Sequence, residues 1–341
     1  MAFKVVLTSR VLPQKITDEY QHKLGAEFVT IPAHTEDDII AAAGDADTVV
    51  TLMQPYSRRV MGNLKKCKLI YNAGTGFDSI DVTAATEHGI CVAFAGDYCM
   101  EEVSDHAMAL VLACARKVTR LDRAVRGGKW DSFEKREIRN MLPPMSHLRD
   151  QTLGLVGFGR IGRAIAEKAR GFGLKVIAYD PNLAPSVFKQ MDVEAVRLEH
   201  LIKVSDFISI QAEFSPEMEH LLGMEQFLRM KPTAYVINVS RGAAIDQEAL
   251  YTALADGYIA GAALDVVAEE PGGISADHPL LTLDNVIMTA HSAYYSEDSS
   301  AKYRQRIHDA VAAILHNRWP EWLINPEVKE NFRKKWQVNL T

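Results

Sequence analysis

The chain predicts an α/β protein of two units, and three observations carry that prediction. Its 341 residues are enough for two domains with separate cores. From Gln151 onward, short apolar runs alternate with helix-like stretches, as in a parallel sheet covered on both faces. One of those runs ends in the turn Gly157-Phe158-Gly159-Arg160-Ile161-Gly162, which leads into an Ala-rich helix.

In chain order, the first hundred residues read as a separate α/β unit with strands over 4–8, 48–52, 68–72 and 90–94. The turn signals between them include Asn72-Ala73-Gly74-Thr75-Gly76. A long helix is predicted from near Glu101 to about Arg116, because Val103, Ala107, Leu110, Val111 and Cys114 recur at helical spacing. Met141-Leu142-Pro143-Pro144-Met145 reads as a loop. Six strands follow, over 152–156, 175–179, 206–210, 234–239, 260–264 and 285–289, the size of a full dinucleotide-binding sheet. A helix over Lys302 to Leu315 leads to a tail carrying Trp319, Trp322 and Trp336. Three tryptophans need a surface to cover, and pattern alone does not choose which unit supplies it.

The glycine turn has a chemistry. Gly157 permits the tight turn, Gly159 lets backbone approach a pyrophosphate, and Gly162 lets helix and strand pack closely. The N–H groups of the helix start, at Arg160 and Ile161, face the anion at the positive end of the helix dipole. Asp180 ends the next apolar run, about twenty residues on, where a ribose-binding acid belongs. Its carboxylate accepts from ribose hydroxyls and repels a 2′-phosphate. No Arg or Lys follows in Pro181-Asn182, so the expected cofactor is NAD rather than NADP. The competing reading of Asp180 is a strand-end acid in a turn.

Composition narrows the rest. With 48% apolar and 24% charged residues, the balance is that of a globular protein. A net charge of −6 makes no electrostatic case for a nucleic-acid or membrane partner. The start Met1-Ala2-Phe3-Lys4 has no signal-peptide layout, and the apolar stretch from Met108 to Ala115 is too short to span a bilayer. Four scattered cysteines, Cys67, Cys91, Cys99 and Cys114, form no CxxC pair, so reduced thiols and no metal site are expected in a cytoplasmic protein.

Three functional groups stand just after predicted strands or in the loops that follow. They are Arg241 in Val239-Ser240-Arg241-Gly242, Glu270 in Ala268-Glu269-Glu270-Pro271, and His291 after Val286-Ile287-Met288-Thr289-Ala290. Ligands of open parallel sheets bind beyond these strand ends. Forked Arg donors suit a carboxylate beside a carbonyl, and a histidine paired with an acid suits proton transfer. Strand-end placement by itself leaves a structural role open for each.

Segments across some 220 residues resemble the D-2-hydroxyacid dehydrogenase family. In order they are Asn72 to Asp81, Glu101-Glu102-Val103-Ser104-Asp105-His106-Ala107, Val156 to Gly162, Asn238 to Gly242, Leu264-Asp265-Val266 with Glu270-Pro271, and His291-Ser292-Ala293. The resemblance implies two Rossmann-like domains. The NAD-binding domain, 101–294, is inserted into a flavodoxin-like substrate domain formed by 1–100 and 295–341. It also implies a 2-keto acid substrate converted to the (R)-2-hydroxy acid. Arg241 then grips the carboxylate and carbonyl, the backbone of Ala73, Gly74, Thr75 and Gly76 binds the other carboxylate oxygen, and His291 is the acid/base. Glu270 holds its imidazole, Asp265 holds the nicotinamide amide, and Val239 shapes the nicotinamide pocket. A homodimer is implied as well.

The chain departs from the family at Ala290, where proline is usual, and at Asn72, where several branches carry a basic residue. Asn72 caps the turn or contacts substrate, and both readings stand. Tyr294 and Gly76-Phe77-Asp78 resemble the C-terminal-binding-protein and glyoxylate-hydroxypyruvate reductase branch, where the aromatic three residues past the histidine lines the substrate pocket. A tyrosine packed at the domain boundary is the alternative. That branch also admits a non-catalytic NADH-sensing interaction protein, against which the Arg241, Glu270 and His291 set argues. Phosphite and phosphoglycerate dehydrogenases share the fold and remain as alternatives, whereas Glu270 speaks against a formate enzyme.

Overall fold

The computed structural model describes residues 2–130, 136–270, 272–338 and 340–341; Pro271, part of one quoted motif, lies outside them. The chain divides into two compact units, Met1–Tyr98 with Ser296–Thr341, and Cys99–Tyr295.

The first unit is a five-stranded parallel sheet, with β1 at Lys4–Leu7, β2 at Glu27–Thr30, β3 at Thr48–Thr51, β4 at Leu69–Asn72 and β5 at Cys91–Phe94. Its order, β2-β1-β3-β4-β5, is flavodoxin-like. The central strands are wholly buried because both faces are covered: Val50 and Tyr71 face one apolar cluster, Val49 and Ile70 the other. The helix Glu297–Leu315 packs Ile307, Ala310, Val311 and Ile314 into the first cluster and starts on a Ser296–Ser299 capping box. β2 is absent from the sequence expectation. It is an edge strand that begins on exposed Glu27 and buries only Phe28, so it lacks the continuous buried run of the central strands.

The tail finds its surface in this unit. Ile324 donates to Val92 O at 2.8 Å and Phe94 to Trp322 O at 3.2 Å, so the segment lies along the free edge of β5. Buried Asn325 takes the Val92 N–H at 2.8 Å and donates to Ile90 O at 3.0 Å. Trp336 donates its indole N–H to Gly89 O at 2.8 Å. An edge that would otherwise offer unpaired backbone is thereby closed.

The second unit is a seven-stranded parallel sheet, with β6 at Thr152–Val156, β7 at Lys175–Tyr179, β8 at Glu194–Ala195, β9 at Phe207–Ile210, β10 at Tyr235–Asn238, β11 at Gly261–Leu264 and β12 at Val286–Met288. The order β12-β11-β10-β9-β6-β7-β8 is that of a Rossmann sheet with one further strand. The extra strand relative to the six expected is β8, whose two exposed residues give no apolar signal. The chain turns from one half of the sheet to the other between β6 and β9, which places the topological switch point at the glycine turn. The helix Met100–Arg116 buries Val103, Ala107, Leu110, Val111 and Cys114. It is tied to the helix Arg160–Gly171 by Lys168, whose ammonium reaches Ser104 Oγ and Asp105 at 2.7 Å and Glu101 at 2.9 Å. Among the described residues no helix is long and apolar enough to cross a membrane.

Candidate active site

At the carboxyl end of β6 the three glycines do three different jobs. Gly157 has φ +91°, and a Cβ there would stand 2.6 Å from Ala212 Cα. A Cβ on Gly162 would stand 2.4 Å from Gly157 O, so the helix Arg160–Gly171 starts as close to the turn as a glycine allows. A Cβ on Gly159 would meet nothing within 4 Å. That glycine therefore borders open space at a helix start with no side-chain cap, the end of a helix that attracts anions. Arg160 is exposed and Ile161 is half-buried in the adjoining core. Asp180 accepts from Phe158 N–H at 2.9 Å and from Asn182 N–H at 3.1 Å, and each oxygen keeps a further lone pair. These residues fit a dinucleotide: an uncapped helix start for the pyrophosphate and a carboxylate for the ribose.

Sequence reading missed the brace behind this turn. Gln211, just past β9, donates from Nε2 to Val156 O at 3.0 Å and to Gly157 O, while Ser209 Oγ bonds its oxygen at 2.9 Å. A polar residue directly after a strand beside β6 was the available signal.

Glu270 and His291 meet directly, His291 Nδ1 lying 2.7 Å from Glu270 Oε2. A carboxylate only accepts, so Nδ1–H donates and Nε2 is left for other chemistry. His291 has φ +48°, a conformation that a non-glycine residue holds only when its surroundings impose it. Asp265 imposes it. This carboxylate is 1% exposed, and it accepts from Ser292 N–H and Ala293 N–H, both at 3.0 Å, and from Thr289 Oγ. The backbone carbonyl of Asp265 takes the His291 N–H at 2.7 Å. Asp265 therefore turns both oxygens to the loop that bears the histidine. Oδ2 accepts only Ala293 N–H among the described residues and keeps a position for another donor.

Arg241 follows β10 on a loop shaped by buried Asn238, which donates to Arg241 O at 2.9 Å and accepts from Ser240 N–H at 3.0 Å. Arg241 Nη1 donates to Ser240 O at 3.0 Å, and Ser240 Oγ donates to Ala212 O. Val239 is half-buried against the sheet core. Gly242, quoted in a motif without a role, has a clear one. A Cβ there would fall 1.9 Å from Val267 C, so the Arg241 loop is pressed backbone to backbone on the turn that leads to Glu270. Tyr294 stands edge-on to His291 with ring centroids 6.4 Å apart and is 42% exposed.

In the first unit, buried Asn72 donates from Nδ2 to Gly74 O at 3.1 Å and to Gly76 O at 2.8 Å. This curls Ala73–Gly76 around one amide. Ala73 N–H is used by Thr51 O at 2.7 Å, which removes it as a free donor. Asn72 thus caps the turn, and among the described residues its buried Oδ1 has no partner.

Comparison with known proteins supplies an independent line. The model of the D-isomer specific 2-hydroxyacid dehydrogenase NAD binding domain matches residues 108–293. A glyoxylate reductase of Korarchaeum cryptofilum is 39% identical over 291 residues, 85% of this chain and 86% of that protein. A D-3-phosphoglycerate dehydrogenase of Methanocaldococcus jannaschii is 36% identical over 85% of this chain, which spans only 54% of that protein. The structure of a D-lactate dehydrogenase from Aquifex aeolicus, complexed with NAD and lactic acid, is similar with a TM-score of 0.78 at 27% identity, covering 92% of this chain and 95% of that one.

Proposed function

This chain belongs to the NAD-dependent D-isomer specific 2-hydroxyacid dehydrogenases, and we propose that it interconverts a small 2-keto acid and the (R)-2-hydroxy acid. The observation that carries this reading is the His291–Glu270 pair at 2.7 Å, with Nε2 left to exchange a proton. NADH, when bound, supplies the hydride. His291 gives the Nε2 proton to the carbonyl oxygen as it becomes a hydroxyl, and takes it back in the reverse direction. Glu270 accepts the Nδ1 hydrogen, which fixes the tautomer and orients the ring. Arg241 offers forked donors to the substrate carboxylate and carbonyl. The N–H groups of Gly74, Thr75 and Gly76 are donors for the second carboxylate oxygen, with Ala73 anchoring their turn. Tyr294, exposed beside His291, is the residue read as touching the substrate side chain. Gly157, Gly159, Gly162 and Asp180 hold the dinucleotide; Val239 and the open position on Asp265 Oδ2 serve its nicotinamide.

Glyoxylate heads the substrate panel because the relative from Korarchaeum cryptofilum is a glyoxylate reductase. Pyruvate, hydroxypyruvate, 3-phosphohydroxypyruvate and phenylpyruvate follow, each read by loss of NADH absorbance. His291→Ala should lower kcat by about 10²–10⁴-fold on the acid active in that panel, with NADH binding retained. Near-normal kcat in this variant would remove His291 as the acid/base. NADH binding with no turnover of any acid, phosphite included, would favour an NADH-sensing interaction protein. The chain is also read as a homodimer, since Val118, Val125 and Trp130 are exposed at and just beyond the helix Val118–Arg126, Trp130 by 77%. A monomer in sedimentation at micromolar concentration would sink that assignment.

A further inference from the structure

His106 is an element of the resemblance that the catalytic scheme leaves unused. It lies on the helix Met100–Arg116, and its Nε2 is 3.0 Å from Thr289 Oγ and 3.6 Å from Asp265 Oδ1. Thr289 has one hydroxyl hydrogen, and the Asp265 carboxylate, which can only accept, takes it. Thr289 Oγ therefore accepts from His106, and Nε2 carries the proton. The bonds run in one direction, from His106 to Thr289 to Asp265, and Asp265 in turn accepts the N–H groups of Ser292 and Ala293 and, at its carbonyl, that of His291. Among the described residues His106 is the one basic side chain within 4 Å of this buried carboxylate.

We propose that His106 is a positioning residue for His291. It acts through Thr289 and Asp265, and rests on the reading of His291 as the acid/base. Its N–H aims the Thr289 hydroxyl at Asp265. The carboxylate so held keeps the 289–293 loop in the turn that gives His291 its left-handed backbone. Without that donor, Thr289 Oγ loses a partner and the carboxylate loses its basic neighbour. The loop then relaxes from a conformation it does not favour by itself, and the imidazole moves off line.

The test uses the full chain with His106→Leu, which removes the donor, and His106→Gln, which returns an amide N–H near the place of Nε2 without a charge. On the acid that the wild type turns over, His106→Leu should lower kcat about tenfold to a hundredfold, with KM, NADH affinity and melting temperature little changed. His106→Gln should recover most of that loss. A kcat for His106→Leu equal to the wild type, or a His106→Gln as slow as His106→Leu, would overturn the proposal. The ¹⁵N resonances of the His291 ring give a second readout that needs no substrate. They should move in His106→Leu and return in His106→Gln, and unchanged resonances in His106→Leu also overturn it. A wild type that turns over none of the acids sinks the catalytic reading instead, and leaves the ring resonances to decide the positioning role.

Discussion

Two glycine turns end parallel strands in this molecule, and they are built on opposite principles. The turn Gly157–Gly162 is made by backbone necessity: φ +91° at Gly157, and hypothetical Cβ atoms 2.6 Å from Ala212 Cα and 2.4 Å from Gly157 O. The turn Asn72–Gly76 has no positive φ at Gly74 or Gly76, and one side-chain amide holds two of its carbonyls. A Cβ on Gly74 would meet the end of a side chain, Leu52 Cδ1, at 3.1 Å. The first turn needs glycine in order to fold, while the second needs asparagine to keep its shape. Within the first turn the same distinction separates Gly157 and Gly162, which the fold requires, from Gly159, which borders open space.

The comparison breaks most easily at Gly157. Gly157→Ala should cost about 2–5 kcal/mol, from the left-handed backbone together with a clash against main chain that cannot swing aside. Urea unfolding of the full chain reads this, and NADH binding should be lost with it. Gly162→Ala should cost about 1–3 kcal/mol by overpacking against Gly157 O. In Gly159→Ala the two readouts should part. Stability should stay within about 1 kcal/mol of the wild type because φ is −66° and the space is empty. NADH should nevertheless bind about tenfold to a hundredfold more weakly as the methyl group displaces a charge-assisted phosphate contact. A Gly159→Ala protein that binds NADH normally would show that the pyrophosphate does not approach there. The smallest effect is expected at Gly74. Gly74→Ala should change stability by less than about 1 kcal/mol, since Leu52 can rotate away. KM for the keto acid should rise while NADH affinity holds. Unfolding as marked as in Gly157→Ala would erase the distinction between the two turns.

The two turns also differ in what a reader of the sequence can extract. Glycines at fixed spacing between an apolar run and a helix report a local backbone demand, so the pattern is visible without neighbours. The Asn72 clamp is a choice among side-chain rotamers. From sequence it stands equally as a turn cap or a substrate contact, and only the paired bonds to Gly74 O and Gly76 O decide for the cap. Gln211, Gly242 and His106 belong to the same class. Each acts on a residue distant in the chain, at Gly157, Val267 and Thr289, and none carries a local period or spacing.

By itself the sequence determined the α/β class, the strands of both sheets other than β2 and β8, the glycine turn with its acid at Asp180, and the family. The first three rest on apolar periodicity and short-range backbone geometry, and the family rests on the resemblance of the motifs between Asn72 and Ala293. The tertiary structure alone decided the edge strands β2 and β8, which lack a continuous buried run and carry no pattern until a neighbour pairs with them. It also decided the seat of the tail, chosen by the unpaired edge of β5 and by acceptors such as Gly89 O. It decided as well the left-handed backbone of His291, which its own residue type disfavours and the distant Asp265 enforces. Such contacts join residues far apart in the chain, and they exist only once the sheets have formed.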